Sequence, residues 1–236
     1  MPVPPRNLRR KMPKKRLTVL QAKYLEVADL FLWGRQIDFT AWFTGLWSPR
    51  NKRTETILPQ LERMNVIHSK WYSGQKVYTT SKRESETHIP HGLVCTKALL
   101  RFKFSGGGEF IPEGFFREKR FKAIPEWAVK YEKNMILFEY STADNFRRKR
   151  MMKDKIKSYE QELDKFAQTF QVKPYVLFLL GAPRHRVENF GYVFGDENFF
   201  FVDQHTFFSV PVTEQLTREI YIWGRDGEVI PLKRNG

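Results

Sequence analysis

Two glutamates stand where paired carboxylates could do chemistry: Glu126, directly after Pro125, and Glu139 in the run Phe138-Glu139-Tyr140-Ser141. One lies at the entrance to an expected β-hairpin and the other at its exit, so the two can converge on a divalent ion. Hard oxygen ligands suit Mg²⁺ or Mn²⁺, which polarise a phosphate and activate water. Period-two alternation puts Glu139 and Ser141 on the face that also carries Met135 and Leu137. A nuclease of this layout usually has Lys where Ser141 stands, helping to place the attacking water and offsetting charge in the transition state. The competing reading of Glu126 and Glu139 is surface salt bridging to the many lysines and arginines around them.

A second constellation is basic. Arg50, Asn51, Lys52, Arg53, Thr54 and Thr56 open the third of three expected helices. Near the N-terminus of such a helix, side chains meet base edges while neighbours grip phosphates. Arg pairs with guanine and Asn with adenine. Lys70 and Lys76 flank an expected hairpin turn and could touch backbone or minor groove. The alternative is a solvated helix face that binds another protein. Further on, Arg147-Arg148-Lys149-Arg150 with Lys153, Lys155 and Lys157 form a stripe on the exposed side of an expected long helix. That stripe is either a solvated face or a track for phosphates. Across the chain, Lys+Arg 41 against Asp+Glu 26 leaves a net charge of +15. A polyanion is the natural partner, because each neutralised phosphate releases condensed counterions.

Other chemistry is thinner. His68, His88, His91, His185 and His205 lack ligand-like spacing, and a metal site needs several converging ligands. The single cysteine, Cys95, excludes an internal disulfide and a cysteine-rich zinc site, and reads as buried apolar filler. Ser105-Gly106-Gly107-Gly108 lacks the Gly-Lys-Ser/Thr that a phosphate-binding loop requires. No apolar run approaches the roughly 20 residues of a membrane span. Residues 1–16, rich in Pro, Arg and Lys, lack the apolar core of a signal peptide and are expected to form a disordered basic arm. A reducing, cytoplasmic location follows as the expectation.

The elements that must position these groups are legible from periodicity. Leu17, Leu20, Tyr24, Val27 and Phe31 mark one helical face. Asp38 is the expected N-cap of a second helix, and Ser48-Pro49 the expected start of a third carrying Ile57, Leu58, Leu61 and Met64, with Pro59 awkward inside it. Runs 66–72 and 76–80 around Ser73-Gly74-Gln75 predict a hairpin. Three helices and a hairpin are the order of a winged helix-turn-helix, over 17–82. A polar linker, 81–90, leads to a helix from Gly92 to about Phe104. Then come strands at 110–117, 127–131 and 135–140, one long helix over 143–170, and strands at 175–180, 198–202 and 219–223. This is an α/β (α+β) pattern with a mixed sheet in a second domain, 91–236.

That order resembles the plasmid and mobile-element replication-relaxation family. The residues that carry the resemblance are His91-Gly92-Leu93, Arg117-Glu118 before Pro125-Glu126, and Phe138-Glu139-Tyr140-Ser141-Thr142. Lys155-Ile156-Lys157-Ser158-Tyr159 and Phe199-Phe200-Phe201-Val202-Asp203 add to them. It implies a restriction-endonuclease-like second domain and maps Glu126 and Glu139 onto acidic metal positions. Glu126 replaces the more usual Asp, and Ser141 replaces Lys. Glu118 then becomes an extra acid and Lys155 a substitute cation. The expected function is therefore double-stranded DNA binding in plasmid or mobile-element replication, with a degenerate nuclease-like domain and no required cofactor. Two alternatives stand beside it. One is an active nickase or endonuclease using Mg or Mn at Glu126 and Glu139. The other is a transcription regulator whose second domain dimerises or senses a ligand. A homodimer, or other replication and mobilisation proteins, are the further expected partners; a membrane is not.

Overall fold

Thr18 opens the first helix, α1 (Val19–Leu30). Its hydroxyl accepts the Gln21 N–H, and Gln21 Oε1 accepts the Thr18 N–H at 2.9 Å. This pairing satisfies amides that a helix start leaves without intrahelical partners. The structure, a computed structural model, describes residues 17–48, 50–81, 85–104, 108–195, 197–209, 220–223 and 229–232. The expected basic arm, Pro49, Gly106, Gly107 and Arg225-Asp226-Gly227 lie outside the described residues. The chain is a mixed α/β protein that divides into two compact units between Thr96 and Lys97.

In the first unit a two-residue strand, β1 (Gly34–Arg35), precedes α2 (Gln36–Thr44). Asp38 is not the N-cap expected from sequence. It lies inside the first turn and reaches back, accepting the Arg35 N–H at 2.7 Å and pairing with the Arg35 guanidinium at 2.8 Å. The third helix, α3 (Lys52–Arg63), likewise starts later than Ser48-Pro49. Asn51 caps it, its Oδ1 accepting from the Arg53 and Thr54 N–H groups at 3.0 and 3.2 Å. Pro59 is held within α3.

Strands β2 (His68–Tyr72) and β3 (Gln75–Thr79) pair antiparallel around Ser73-Gly74. Both turn residues have positive φ, 48° and 73°, which matches the twist of the flanking strands in a two-residue hairpin. Strand β1 joins the free edge of β3, giving the order β1-β3-β2. Sequence periodicity could not reveal a two-residue strand. Packing does: a Cβ on Gly34 would fall 2.5 Å from Phe31 Cδ2 and 2.9 Å from Phe39 Cε2. Only glycine lets the backbone pass between those rings.

The stretch read as a linker holds a 3₁₀ turn at Glu86–His88 and the start of α4 (Ile89–Phe104). The division between units falls inside this helix. Toward the first unit, Ile89 packs with Trp33 and Val77, and the Thr96 hydroxyl donates to the Trp33 carbonyl at 2.8 Å.

In the second unit, β4 (Glu109–Pro112) is shorter than expected. Residues read as its continuation coil into α5 (Glu113–Glu118), burying Phe116. Strands β5 (Trp127–Lys130) and β6 (Asn134–Ser141) form the expected hairpin. The single long helix expected over 143–170 is three: α6 (Ala143–Arg147), α7 (Lys149–Glu160) and α8 (Leu163–Phe170). Then come β7 (Lys173–Leu180), α9 (Arg184–Phe194), β8 (Phe199–Asp203), α10 (Gln204–Ser209), and the hairpin β9 (Ile220–Trp223) and β10 (Val229–Leu232). Helices α9 and α10 were not recognised from sequence; mixed polarity concealed α9.

Five strands form one sheet in the order β4-β5-β6-β7-β8, antiparallel from β4 to β6 and parallel from β6 to β8. One face carries Met135, Leu137, Val176, Phe178 and Phe201, packed with Ile156, Tyr159, Phe166 and Phe190 of the helices. The other carries Trp127 stacked on Phe138 at 4.2 Å, with Phe102 of α4 edge-on at 5.2 Å.

The break between α7 and α8 has a visible cause. Glu162 is buried, and its Oε2 accepts from the Lys122 and Ala123 backbone N–H groups, the latter at 2.8 Å. Removing the carboxylate leaves those donors unsatisfied, a loss of about 1–3 kcal/mol. Glu162→Ala is therefore expected to lower the unfolding free energy by that amount, read as a lower denaturation midpoint, with Glu162→Gln recovering part of it. An unchanged midpoint would show that the carboxylate does not hold the 122–123 loop.

Candidate functional site

Two sites emerge, one in each unit. In the first unit, the N-terminal turn of α3 projects Arg50, Lys52, Arg53 and Thr56 into solvent. Thr56 donates to the Lys52 carbonyl at 2.7 Å, which keeps its hydroxyl on the helix. Thr54 points the other way and is fully buried. Its hydroxyl lies 2.9 Å from Tyr24 Oη and receives a hydrogen bond from Thr40 at 3.2 Å. The expected DNA contact at Thr54 is thus corrected: it is the pin that holds α3 to α1 and α2, and no duplex reaches it. Asn51 spends its carbonyl oxygen on the helix start, leaving the amide nitrogen as its outward group.

Lys23, which sequence reading passed over, lines a shallow groove with Phe43, Asn51, Lys52 and Arg53. It lies on the exposed side of α1, one residue before the buried Tyr24, so the helical period alone could have placed it. The hairpin lysines are more engaged than expected. Lys76 Nζ lies 2.7 Å from Glu62 Oε2, and Lys70 Nζ lies 3.7 Å from Glu86. Such half-exposed pairs are worth about 0–1 kcal/mol and exchange readily for phosphates. Between these lysines Trp71 is 73% exposed, a second residue the sequence reading missed.

The second site grows from the β5–β6 register. Trp127 pairs with Phe138, and Glu126, one residue before β5, donates its N–H to the Phe138 carbonyl at 3.0 Å, which sets it beside Glu139. Glu139 shares its face with Leu137 and Met135, as alternation predicted, and is only 1% exposed. That burial excludes the surface-salt-bridge reading for Glu139. Its Oε2 accepts from Lys155 Nζ, and its Oε1 accepts from Tyr159 Oη at 2.6 Å. Lys155 therefore does not belong to the outward stripe of α7. It lies on the inward side, between Met152 and Tyr159, one turn apart.

Burial pushes the Glu139 carboxyl up and outweighs the pull of the Lys155 ammonium. The negative charge of Glu126 adds to the rise, and the result is about 7 against an ordinary 4.5. Tyr159 is pushed well above its ordinary range, first by burial and then by the Glu139 charge. Glu113 also bears electrostatically on Tyr159, whereas Glu118, the acid named from sequence, is exposed at the far end of α5. Glu118 is corrected accordingly: five residues along a helix turn it to another face from Glu113, whose carboxylate pairs with Arg117.

As a divalent-ion site the donor set is poor as it stands. Both Glu139 oxygens already accept from protein donors, and one of those donors is itself a cation. Ser141 is buried and brings no charge where a nuclease usually has lysine. Arg147 and Arg148 lie at the break between α6 and α7, both exposed, with Arg147 3.8 Å from Asp144. They form no continuous stripe with the rest of α7.

Because folding raises the Glu139 pKa from 4.5 to about 7, the folded chain binds the extra proton in that interval. The stability this group contributes is whole below the lower value and is lost as pH rises through the upper one. Glu139→Gln is expected to erase that loss, so the gap between variant and unmutated protein widens in favour of the variant from about pH 5 to about pH 8. Parallel unfolding curves across that range would contradict the assignment.

Comparison with known proteins finds no matching family model, no matching curated protein and no matching solved structure.

Proposed function

We propose that this chain is a double-stranded DNA-binding protein. In this reading the first unit is a winged helix that docks α3 against the duplex, and the second is a restriction-endonuclease-like unit that does not cleave. The observation that carries it is the row of exposed Arg50, Lys52 and Arg53 at the start of α3, on a helix pinned from behind by Thr54. In this reading cations there meet phosphates and base edges, and the hairpin with Lys70, Trp71 and Lys76 serves as the wing. The order β4-β5-β6-β7-β8, with helices between the parallel strands, supports a nuclease-derived second unit. Membership of the replication-relaxation family, and with it a role in plasmid or mobile-element replication, is part of the same proposal. Among the described residues no helix is long and apolar enough to cross a membrane.

Affinity for duplex should fall steeply with salt, because each phosphate contact contributes about 0.9 to the logarithmic slope. Lys52→Ala and Arg53→Ala are each expected to reduce that slope by about 1 while leaving the melting temperature in place. A slope unmoved by both substitutions would remove α3 from the interface.

A second reading, metal-dependent nicking, draws on Glu126 lying beside Glu139 at the start of β5. It requires Lys155 to leave Glu139 when an ion enters. Under the first reading, supercoiled plasmid stays intact with Mg²⁺ or Mn²⁺. Nicking that disappears in Glu126→Ala and Glu139→Ala would establish the second instead.

A further inference from the structure

The second unit holds a groove that neither the acid cluster nor the duplex reading uses. Its floor is aromatic: Phe190 and Phe194 have ring centroids 4.5 Å apart, and Phe146 meets Phe190 edge-on at 5.3 Å. One wall, from α6 and α7, carries Arg147 and Lys153; the other, from α9, carries Arg186 and Asn189. The three cations are exposed, and Lys153 Nζ lies 5.4 Å from the centre of the Phe194 ring. Arg147 lies 3.8 Å from Asp144 in an exposed pair, and Arg184, two residues before Arg186, is tied to Glu188 at 2.8 Å. Above the groove α9 also exposes Val193 at 66%.

An apolar ring floor with positive charge on both sides suits a planar aromatic group flanked by anions. A nucleotide within an unpaired strand has that form: a base face for the rings, and a phosphate before and after it for the cations. The Asn189 amide adds both a donor and an acceptor for a base edge. A duplex cannot use the floor, because its bases are stacked inside. An acidic peptide could neutralise the cations, yet its carboxylates do not alternate with flat aromatic faces.

We propose that the groove between α6–α7 and α9 binds an unpaired DNA strand, one base stacking on the half-buried Phe194 ring, which Phe190 backs from the core, and its flanking phosphates resting on Arg147, Lys153 and Arg186. This goes beyond duplex binding by the first unit and does not depend on it.

The test uses the full chain and fluorescence anisotropy of a labelled oligo-dT, with unlabelled duplex present at saturation. Binding is expected to persist under those conditions. An abasic oligonucleotide of equal length should bind about 5-fold to 100-fold more weakly, the range that one stacked base contributes. Arg186→Glu and Val193→Asp should each weaken oligo-dT binding about 10-fold or more, with duplex affinity and melting temperature unchanged. Lys52→Ala should weaken only the duplex, so the two sites fail separately. Displacement of oligo-dT by duplex would overturn the proposal, as would equal binding of the abasic strand. Oligo-dT affinity within about twofold of the unmutated protein in both α9 variants, or an acidic peptide that competes oligo-dT away more strongly than unlabelled oligo-dT itself, would do the same.

Discussion

The second unit is organised around a carboxylate that the sheet places where charge is most costly. Glu126, just before β5, is bonded through its N–H to the Phe138 carbonyl, and its negative charge opposes ionisation of the neighbouring Glu139. Burial of Glu139 adds a desolvation penalty of several kcal/mol for the charged form. Two responses are visible. Lys155 and Tyr159 supply a cation and a donor from α7, and the carboxyl retains its proton to about pH 7. Helix α7 is thereby tied in register to β6, with Met152, Ile156 and Tyr159 closing over the same face. The sheet, the helix and the acid pair constrain one another, and stability alone does not require a glutamate there. An apolar residue of similar volume is often neutral or better in such a position.

The first unit solves a different problem by the same means. A helix that presents cations outward must be held from behind, and Thr54 does this with hydrogen bonds to Tyr24 and Thr40 in an otherwise apolar core. The direction of these bonds sets the rotation of α3 about its axis. Residues 52, 53 and 56 face solvent because 54, 57, 58 and 61 are buried. Under the proposed reading, base contacts depend on this rotation as much as on the basic side chains themselves.

Sequence revealed most where periodicity was long and pure. The Tyr24–Val27–Phe31 part of the α1 face, the β2–β3 hairpin and the Glu139–Leu137–Met135 row were legible from steps of three and four, or of two, whereas Leu20, read on the same face, is exposed. It was misleading where tertiary bonds override local pattern. The helix over 143–170 reads as one because its apolar positions stay in phase, yet Glu162 turns inward to cap a distant loop and breaks it. Asp38 and Ser48-Pro49 look like caps in isolation, whereas Arg35 and Asn51 are the residues whose backbone leaves the helix. Glu118 follows Arg117 in the motif, which says nothing of its direction; the short α5 helix leaves it exposed. Strand β1 had no sequence signal beyond a glycine after Trp33.

Lys155 is the most instructive of these, because it was read both as part of the outward stripe and as a substitute cation for the acids, and the fold places it beside Glu139. Grouping Lys153, Lys155 and Lys157 as one stripe follows composition, but on a helix residues two apart point about 200° from each other. Met152, Ile156 and Tyr159 define the inward side, and 155 falls between them. The same arithmetic sends Lys153 outward, toward the aromatic groove beside α9. One helix thus divides its cations between two tasks. Lys155 compensates a buried acid within the fold, while Lys153 remains available to an anion outside it. The net charge of +15 therefore overstates what this surface offers a polyanion; the count that matters is of cations whose partners are weak or half-solvated.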